Sequence, residues 1–453
     1  NSSPSMMNTS SINTSWKPLS IIRLASCLGI ATEEASTSLH LPQPLLFFSN
    51  FNLHSLSMKN VCIAAVLLIA SGPMVAISQP FKKIHQKAIV IDTHNDFIST
   101  GIEKGKSFDQ DLKGITHSDL GRMKTGGIDV QIFSIFCDEN YGMGTAYAFA
   151  NREIDTLYAT VNRNPDKMML VRNVADLKTA VKTGKLGSMI GVEGGHMIED
   201  RIDYLEKLYA RGARYMTLTW NNSTSWASSA ADERAKKDLG HPYGLNALGE
   251  SIVQRMNALG MIVDVSHVGE KTFYDALRIS TKPVIASHSC TYALCPVPRN
   301  LTDDQIRMIG KNNGVIHLNF YSGFVDSSFR EKNNAFIKKH QKEKDSLLKN
   351  NPSDFFANLF IHEKYKEEMD NVRPSLAQLI DHLDHIANLI GVDHIGIGSD
   401  FDGINSAPRE LNDVTNMPLI TEELLKRGYS KKDIAKILGG NFIRVLKANQ
   451  VDQ

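Results

Sequence analysis

The sequence has no surplus of charge of either sign: 50 Lys plus Arg stand against 49 Asp plus Glu in 453 residues. Proteins built to hold nucleic acid or an anionic membrane carry a basic excess, so the balance argues against that class. Cysteine is scarce, with five in all. Cys27 and Cys62 fall in N-terminal segments set apart below, leaving Cys137, Cys290 and Cys295. An odd trio is no disulfide framework, and a bridge across the short Cys290–Cys295 loop would gain little. Nor is that spacing a zinc pattern, because no second Cys or His pair stands beside it. Apolar runs are short: the longest near the N-terminus, Val61 to Ala70, is not long enough to span a bilayer. The polar stretch Leu446 to Gln453 is expected to carry no anchor signal. No internal repeat and no low-complexity run is visible after residue 78.

What is present starts with a contrast near the N-terminus. Residues 1–57 are rich in Ser, Asn and Thr with little periodicity, and are expected to be a non-native or disordered extension. Met58-Lys59-Asn60 then opens the apolar run, and Ala76 and Ser78 precede Gln79. A charged start, an apolar middle and a small-residue exit describe a secretory signal peptide over 58–78. The expectation is therefore an exported, soluble domain over 79–453, periplasmic or secreted.

Within that domain, eight short apolar runs alternate with helical patterns. The first, Ala88 to Ile91, leads into Asp92-Thr93-His94-Asn95-Asp96. Further runs are predicted as strands over 128–136, 186–193, 214–219, 261–266, 283–287, 314–320 and 394–400. Helices are expected over 147–163, 204–210, 248–259, 270–279, 303–309 and 376–389, and two more close the chain, split by Gly439-Gly440-Asn441. Eight strands alternating with helices imply a parallel (β/α)8 TIM barrel. A short apolar piece over 168–171 is expected to be an extra connecting element. The charged stretch 326–370 is expected to be a helical insertion after strand seven.

The strand ends carry the chemistry. His94 and Asp96 follow the first strand, two positions apart, a spacing that puts both on one face of an extended chain. Glu193 ends the third, His267 the fifth, His288 the sixth and Asp400 the eighth. Active sites of this barrel lie at the C-terminal ends of its strands. Three imidazoles and three carboxylates at one rim suit two borderline or hard cations, most naturally zinc. A carboxylate on a middle strand can bridge two ions about 3.5–4 Å apart.

The motifs Asp92-Thr-His-Asn-Asp96, Gly191-Val-Glu-Gly-Gly195, Asp264-Val-Ser-His267, Ala286-Ser-His-Ser289 and Gly398-Ser-Asp-Phe-Asp-Gly403 resemble those of the membrane (renal-type) dipeptidases, a branch of the metal-dependent amidohydrolases. The resemblance runs in order from about His94 to Leu446. It implies a barrel with two Zn2+ ions, His94 and Asp96 on one, His267 and His288 on the other, and Glu193 bridging. It implies that Asp400 transfers the proton and that Arg299 grips the substrate's free carboxylate. Taken alone, Arg299 would more commonly be a surface ion pair, and Asp402 is expected to hold the loop after strand eight. The activity implied is hydrolysis of dipeptides Xaa-Yaa by a metal-bridging hydroxide, with a D-residue tolerated at the C-terminal side. A homodimer without membrane anchor, of bacterial periplasmic type, is also implied. One departure stands out: where the family commonly has a His after Leu-Thr on strand four, this chain has Trp220, with Asn221 and Asn222 beside it as neutral donors to substrate. Two other readings remain: a barrel amidohydrolase acting on cyclic amides or phosphotriesters, and a non-catalytic metal- or peptide-binding protein. Many such amidohydrolases bridge their ions with a modified Lys, whereas this chain offers Glu193.

Overall fold

Strands buried on both faces need apolar residues on both, and the chain supplies them in short parallel segments. The computed structural model describes residues 80–350 and 354–451. The expected extension and signal peptide lie outside the described residues. The strands are β1 Ile91–Asn95, β2 Val130–Phe136, β3 Met168–Leu170, β4 Leu186–Glu193, β5 Ala213–Thr217, β6 Ile262–Asp264, β7 Ile285–Ala286, β8 Val315–Leu318 and β9 Ile395–Ile397. All pairings are parallel, in the order β2-β1-β9-β8-β7-β6-β5-β4. The ring closes where β2 pairs β4, from Val130 opposite Gly187 to Phe136 opposite Glu193. β3 attaches only to the start of β4, Met168 opposite Leu186, so it stands outside the eight-stranded barrel as an extra element.

Neighbouring residues of the strands divide between two apolar clusters, the signature of a sheet with two buried faces. Ile262, Ile285 and Val315 join one cluster with Ile91, Val130 and Tyr215. Val263, Ala286 and Ile316 join the larger one, which takes in the surrounding helices. After β8 comes a short helix, Ser322–Val325, and then the helices Phe329–Lys339, Gln341–Asn350, Asp354–Lys364 and Lys366–Met369 form the expected insertion. It carries a small core of its own, with Phe329, Phe336, Ile337 and Ile361.

Several boundaries differ from the sequence reading. β1 begins at Ile91, where the apolar run was expected to end, and continues through the polar residues to Asn95. Pairing to β2 and β9 on either side, not apolar content, decides where this strand runs. β7 is only two residues long. The closing helices are not broken at the glycines: a π-helical turn, Lys436–Gly440, joins Lys431–Ala435 to Asn441–Asn449. Asn441 there donates to the carbonyls of Val392 and Ile395 at 2.7 and 2.8 Å, tertiary bonds that hold the turn where local propensity would end it. Cys137, Cys290 and Cys295 are buried and free. Among the described residues, no helix is long and apolar enough to cross a membrane.

Candidate metal centre

The predicted strand-end residues converge at one end of the barrel. His94 is on β1; Asp96 follows it as the residue capping the helix Phe97–Lys104; Glu193 ends β4. His267, His288 and Asp400 lie just beyond β6, β7 and β9. Glu193 stands in the middle. Its Oε2 lies 3.2 Å from His94 Nε2, and its Oε1 lies 2.9 Å from His267 Nε2 and 3.5 Å from His288 Nε2. Asp96 Oδ2 is 3.6 Å from His94 Nε2, while its Oδ1 is buried without a hydrogen-bond partner. Asp400 groups with His94 and Asp96, each offering an atom within 4.8 Å of the others.

Backbone geometry at the site is unusual. His267 and Asp400 have φ of +64° and +60°. Such conformations cost non-glycine residues about 1–3 kcal/mol and persist only where neighbours enforce them. Here the His267 carbonyl accepts from Ala230 N at 2.8 Å and Asp400 N donates to the His94 carbonyl at 3.1 Å. The last glycine of the Gly398–Gly403 motif also has a role. A Cβ on Gly403 would lie 2.1 Å from Asp96 Oδ2 and 2.7 Å from Asp400 Oδ1, so any side chain there would displace a carboxylate.

Each histidine is oriented through its Nδ1. His94 Nδ1 meets the Tyr215 hydroxyl at 2.9 Å, His288 Nδ1 meets Ser287 Oγ at 2.8 Å, and His267 Nδ1 meets Asn221 Oδ1 at 3.2 Å. Ser287 Oγ donates in turn to Asp264 Oδ2 at 2.6 Å, so toward His288 it accepts. Outer partners of this kind fix the tautomer and aim the second nitrogen. Nε2 of His267 and of His288 then face each other at 2.9 Å. Burial, with the charge of Arg299 adding to it, lowers the His267 pKa to about 4. Burial, with the charges of His94 and Arg299, holds His288 well below the ordinary value as well. Near neutral pH, therefore, neither ring keeps a second proton, and two lone pairs point at one space that already faces a carboxylate. A cation satisfies that arrangement; the donor set of nitrogen and oxygen fits zinc or a similar divalent ion.

The remaining charges follow the same logic. Burial would push Glu193 up, but the charge of His94 and the close approach of the three histidine Nε2 atoms hold it well below the usual carboxylate range. Burial would lower His94, yet the charges of Glu193 and Asp96 outweigh it and raise its pKa to about 10. A cation at this position competes with that proton for Nε2, which makes binding pH-dependent. Asp96 and Asp400 are both raised, by burial first and then by Glu193. Asn319 Nδ2 donates to Asp400 Oδ2 at 2.8 Å.

An open cavity of about 850 Å³ leads to these groups, lined among others by Trp220, Asn221 and Arg299, by Tyr321 and Phe324 just after β8, and by His362 of the insertion. Trp220 packs on Phe136, ring centroids 4.9 Å apart, and lies 6.4 Å from the His267 ring. Asn221 lines the cavity with its oxygen turned to His267. Arg299 donates to the His288 carbonyl at 3.2 Å and to Ser289 Oγ at 3.4 Å, and its Nε has no partner. Asp402 takes the Ser118 hydroxyl and the His117 amide, each at 2.5 Å, tying the loop after β9 to the loop before the helix Leu120–Gly126.

Sequence reasoning did not single out Tyr215, Ser287, Asp264 or Asn319. Asp264 and Ser287 stood inside recognised motifs, but nothing in the spacing said what they touch. Asp264 also accepts from Thr217 Oγ1 at 2.5 Å and the Ser266 and Ser287 amides at 3.0 and 2.9 Å, binding β5, β6 and β7 together under the site.

Comparison with known proteins gives the family and the fold. The profile of the membrane dipeptidase family, peptidase family M19, matches residues 78–453. Dipeptidase aclJ of Aspergillus oryzae is 30% identical over 383 residues, 81% of this chain and 79% of that one. The fold is shared with the probable dipeptidase PvdM from Pseudomonas aeruginosa, at 24% identity and TM-score 0.66, covering 82% of this chain and 97% of that one. It is shared too with a metallopeptidase from Rhodobacter sphaeroides liganded with a phosphinate mimic of the dipeptide L-Ala-D-Ala, at 24% identity and TM-score 0.64, covering 80% and 100%. Profile, relative and fold lead to one assignment: the chain belongs to the membrane dipeptidase family.

Proposed function

We propose that this protein is a two-zinc dipeptidase that cleaves Xaa-Yaa, including substrates with a D-residue at the C-terminal side. The observation that carries the reading is Glu193 with one oxygen toward His94 and the other toward His267 and His288. His94 and Asp96 would hold one ion and His267 and His288 the other, with Glu193 shared. Bound there, divalent ions supply positive charge against the peptide carbonyl oxygen and a water activated near neutral pH. Arg299 takes the terminal carboxylate in a two-pronged ion pair, which limits substrates to short peptides. Asp400, held at Oδ2 by Asn319, accepts a proton on its carboxylate and returns it to the departing amine. Trp220 and Phe136 form an aromatic wall that sorts side chains. We further propose an exported homodimer beginning near Gln79. The test is hydrolysis of a mixed peptide pool by metal-stripped protein before and after zinc is added. Release of amino acids from dipeptides, not tripeptides, only after zinc is expected. Full activity without metal, or equal cleavage of tripeptides, refutes the reading.

A further inference from the structure

The phenol of Tyr215 is buried directly beneath the metal centre and takes no part in the chemistry above. Its side chain rises from β5 and is fully buried. The hydroxyl donates to the Thr93 carbonyl at 2.9 Å, and the same oxygen lies 2.9 Å from His94 Nδ1. A phenol has one proton to give. Spent on the carbonyl, it leaves the oxygen able only to accept, so the proton between Tyr215 and His94 belongs to Nδ1. In the neutral ring that binds an ion, Nε2 then carries the lone pair, turned toward Glu193 and Asp96. The ring reaches this place because β4 has Gly191 beside it: a Cβ there would lie 2.0 Å from Tyr215 Cζ. Gly191, in the motif before Glu193, thus makes room for the tyrosine.

We infer that Tyr215 is a positioning residue that fixes the tautomer and direction of His94, and so sets the affinity of the ion held by His94 and Asp96 more than that of the ion held by His267 and His288. The inference rests on the two-ion reading. It follows from the division of the outer partners. His267 is oriented by Asn221, and His288 by the Ser287–Asp264 pair. Tyr215 accepts from His94 Nδ1 while donating to the Thr93 carbonyl. Losing an outer partner of a metal-binding histidine typically costs 10–100-fold in metal affinity.

The test is a cobalt(II) titration of the metal-stripped full chain, read by its visible absorption bands, with a competing chelator for the tighter equivalent. The parent should take up two equivalents. Tyr215→Phe keeps the ring and removes the oxygen, and should weaken one equivalent by roughly 10–100-fold while leaving the other within about 3-fold. In a His94→Ala background the same change should have no further effect on the equivalent that remains, which a general packing defect would not reproduce. Long-range proton–nitrogen NMR on the loaded parent, independent of any variant, should show His94 protonated at Nδ1. Two unchanged equivalents in Tyr215→Phe, equal weakening of both, or a proton on His94 Nε2 would overturn the inference alone. A parent that binds no cobalt overturns the two-ion reading and this inference with it.

Discussion

Replacing Arg299 by alanine should separate recognition of the substrate from stability of the fold. The guanidinium is pushed down to a pKa of about 10 by burial, against the attraction of Asp400 and Glu193. Among the described residues it has no carboxylate at ion-pair distance, only two long hydrogen bonds and the Phe324 ring 5.2 Å away. A half-buried cation so lightly satisfied has donors to spare for an incoming anion. Removing one side of a hydrogen-bonded charge pair from a water-poor pocket costs about 2–5 kcal/mol. At about 1.36 kcal/mol per tenfold, Arg299→Ala should lower kcat/KM roughly 30- to 5,000-fold for free dipeptides. Stability should scarcely move: relief of the desolvated charge offsets the loss of the Phe324 contact, worth about 0.5–2 kcal/mol. The assay is kcat/KM on one dipeptide and its C-terminal amide, for parent and variant, with a thermal melt of each. The amide should already be poor for the parent, and Arg299→Ala should harm it far less. Equal cleavage of acid and amide by the parent would refute the argument, because Arg299 would then have no carboxylate to grip.

The other expectations concern groups around the same end of the barrel. Asp400→Asn should keep both ions and bind dipeptide while kcat falls roughly 10²–10⁴-fold; loss of an ion in metal analysis would make Asp400 a ligand, as its place beside His94 and Asp96 allows. Trp220→His should change which side chains are accepted without raising kcat much, since Trp220 packs as a wall against Phe136; a uniform rise in kcat across a dipeptide panel would show that a donor was missing there. Glu153 is fully buried with neither carboxyl oxygen in a formed hydrogen bond, and burial raises its pKa well above the usual value, the nearby Phe136 amide offsetting only part. The folded state thus favours the neutral acid, while the unfolded chain ionises near pH 4.3. This group's contribution to stability is complete below that pH and is lost as pH rises toward the raised folded value, by at most about 1.36 kcal/mol per pH unit. Glu153→Gln cannot ionise, so its advantage in urea unfolding should grow from pH 5 to pH 8; parallel pH curves for parent and variant would contradict the assignment.

Much of this protein is legible along the chain, for physical reasons. Parallel strands buried on both faces must be written as apolar runs, so β2, β4 and β8 could be read directly. Polar residues that end such runs have no place in the core, so His94, Asp96, Glu193, His267, His288 and Asp400 announced a shared rim. Spacing alone was less informative where the backbone departs from extended geometry. Asp96 reaches the site from a helix cap, and His267 and Asp400 do so with positive φ.

Tertiary structure alone decided how these groups are aimed. Tyr215 is 121 residues from His94, and Asn319 is 81 residues from Asp400. No local pattern marks such pairs, because their side chains look the same in sequence whether they fill a core or orient a ligand. The same holds for the π-helical turn at Lys436–Gly440, kept by Asn441 against β9, and for β7, whose two residues depend on its neighbours. Residue types along the chain determined that a metal-competent rim exists. Contacts between distant segments determined which nitrogen faces inward, which carboxylate stands between the histidines, and, among the described residues, which cation at the cavity is left without a carboxylate partner.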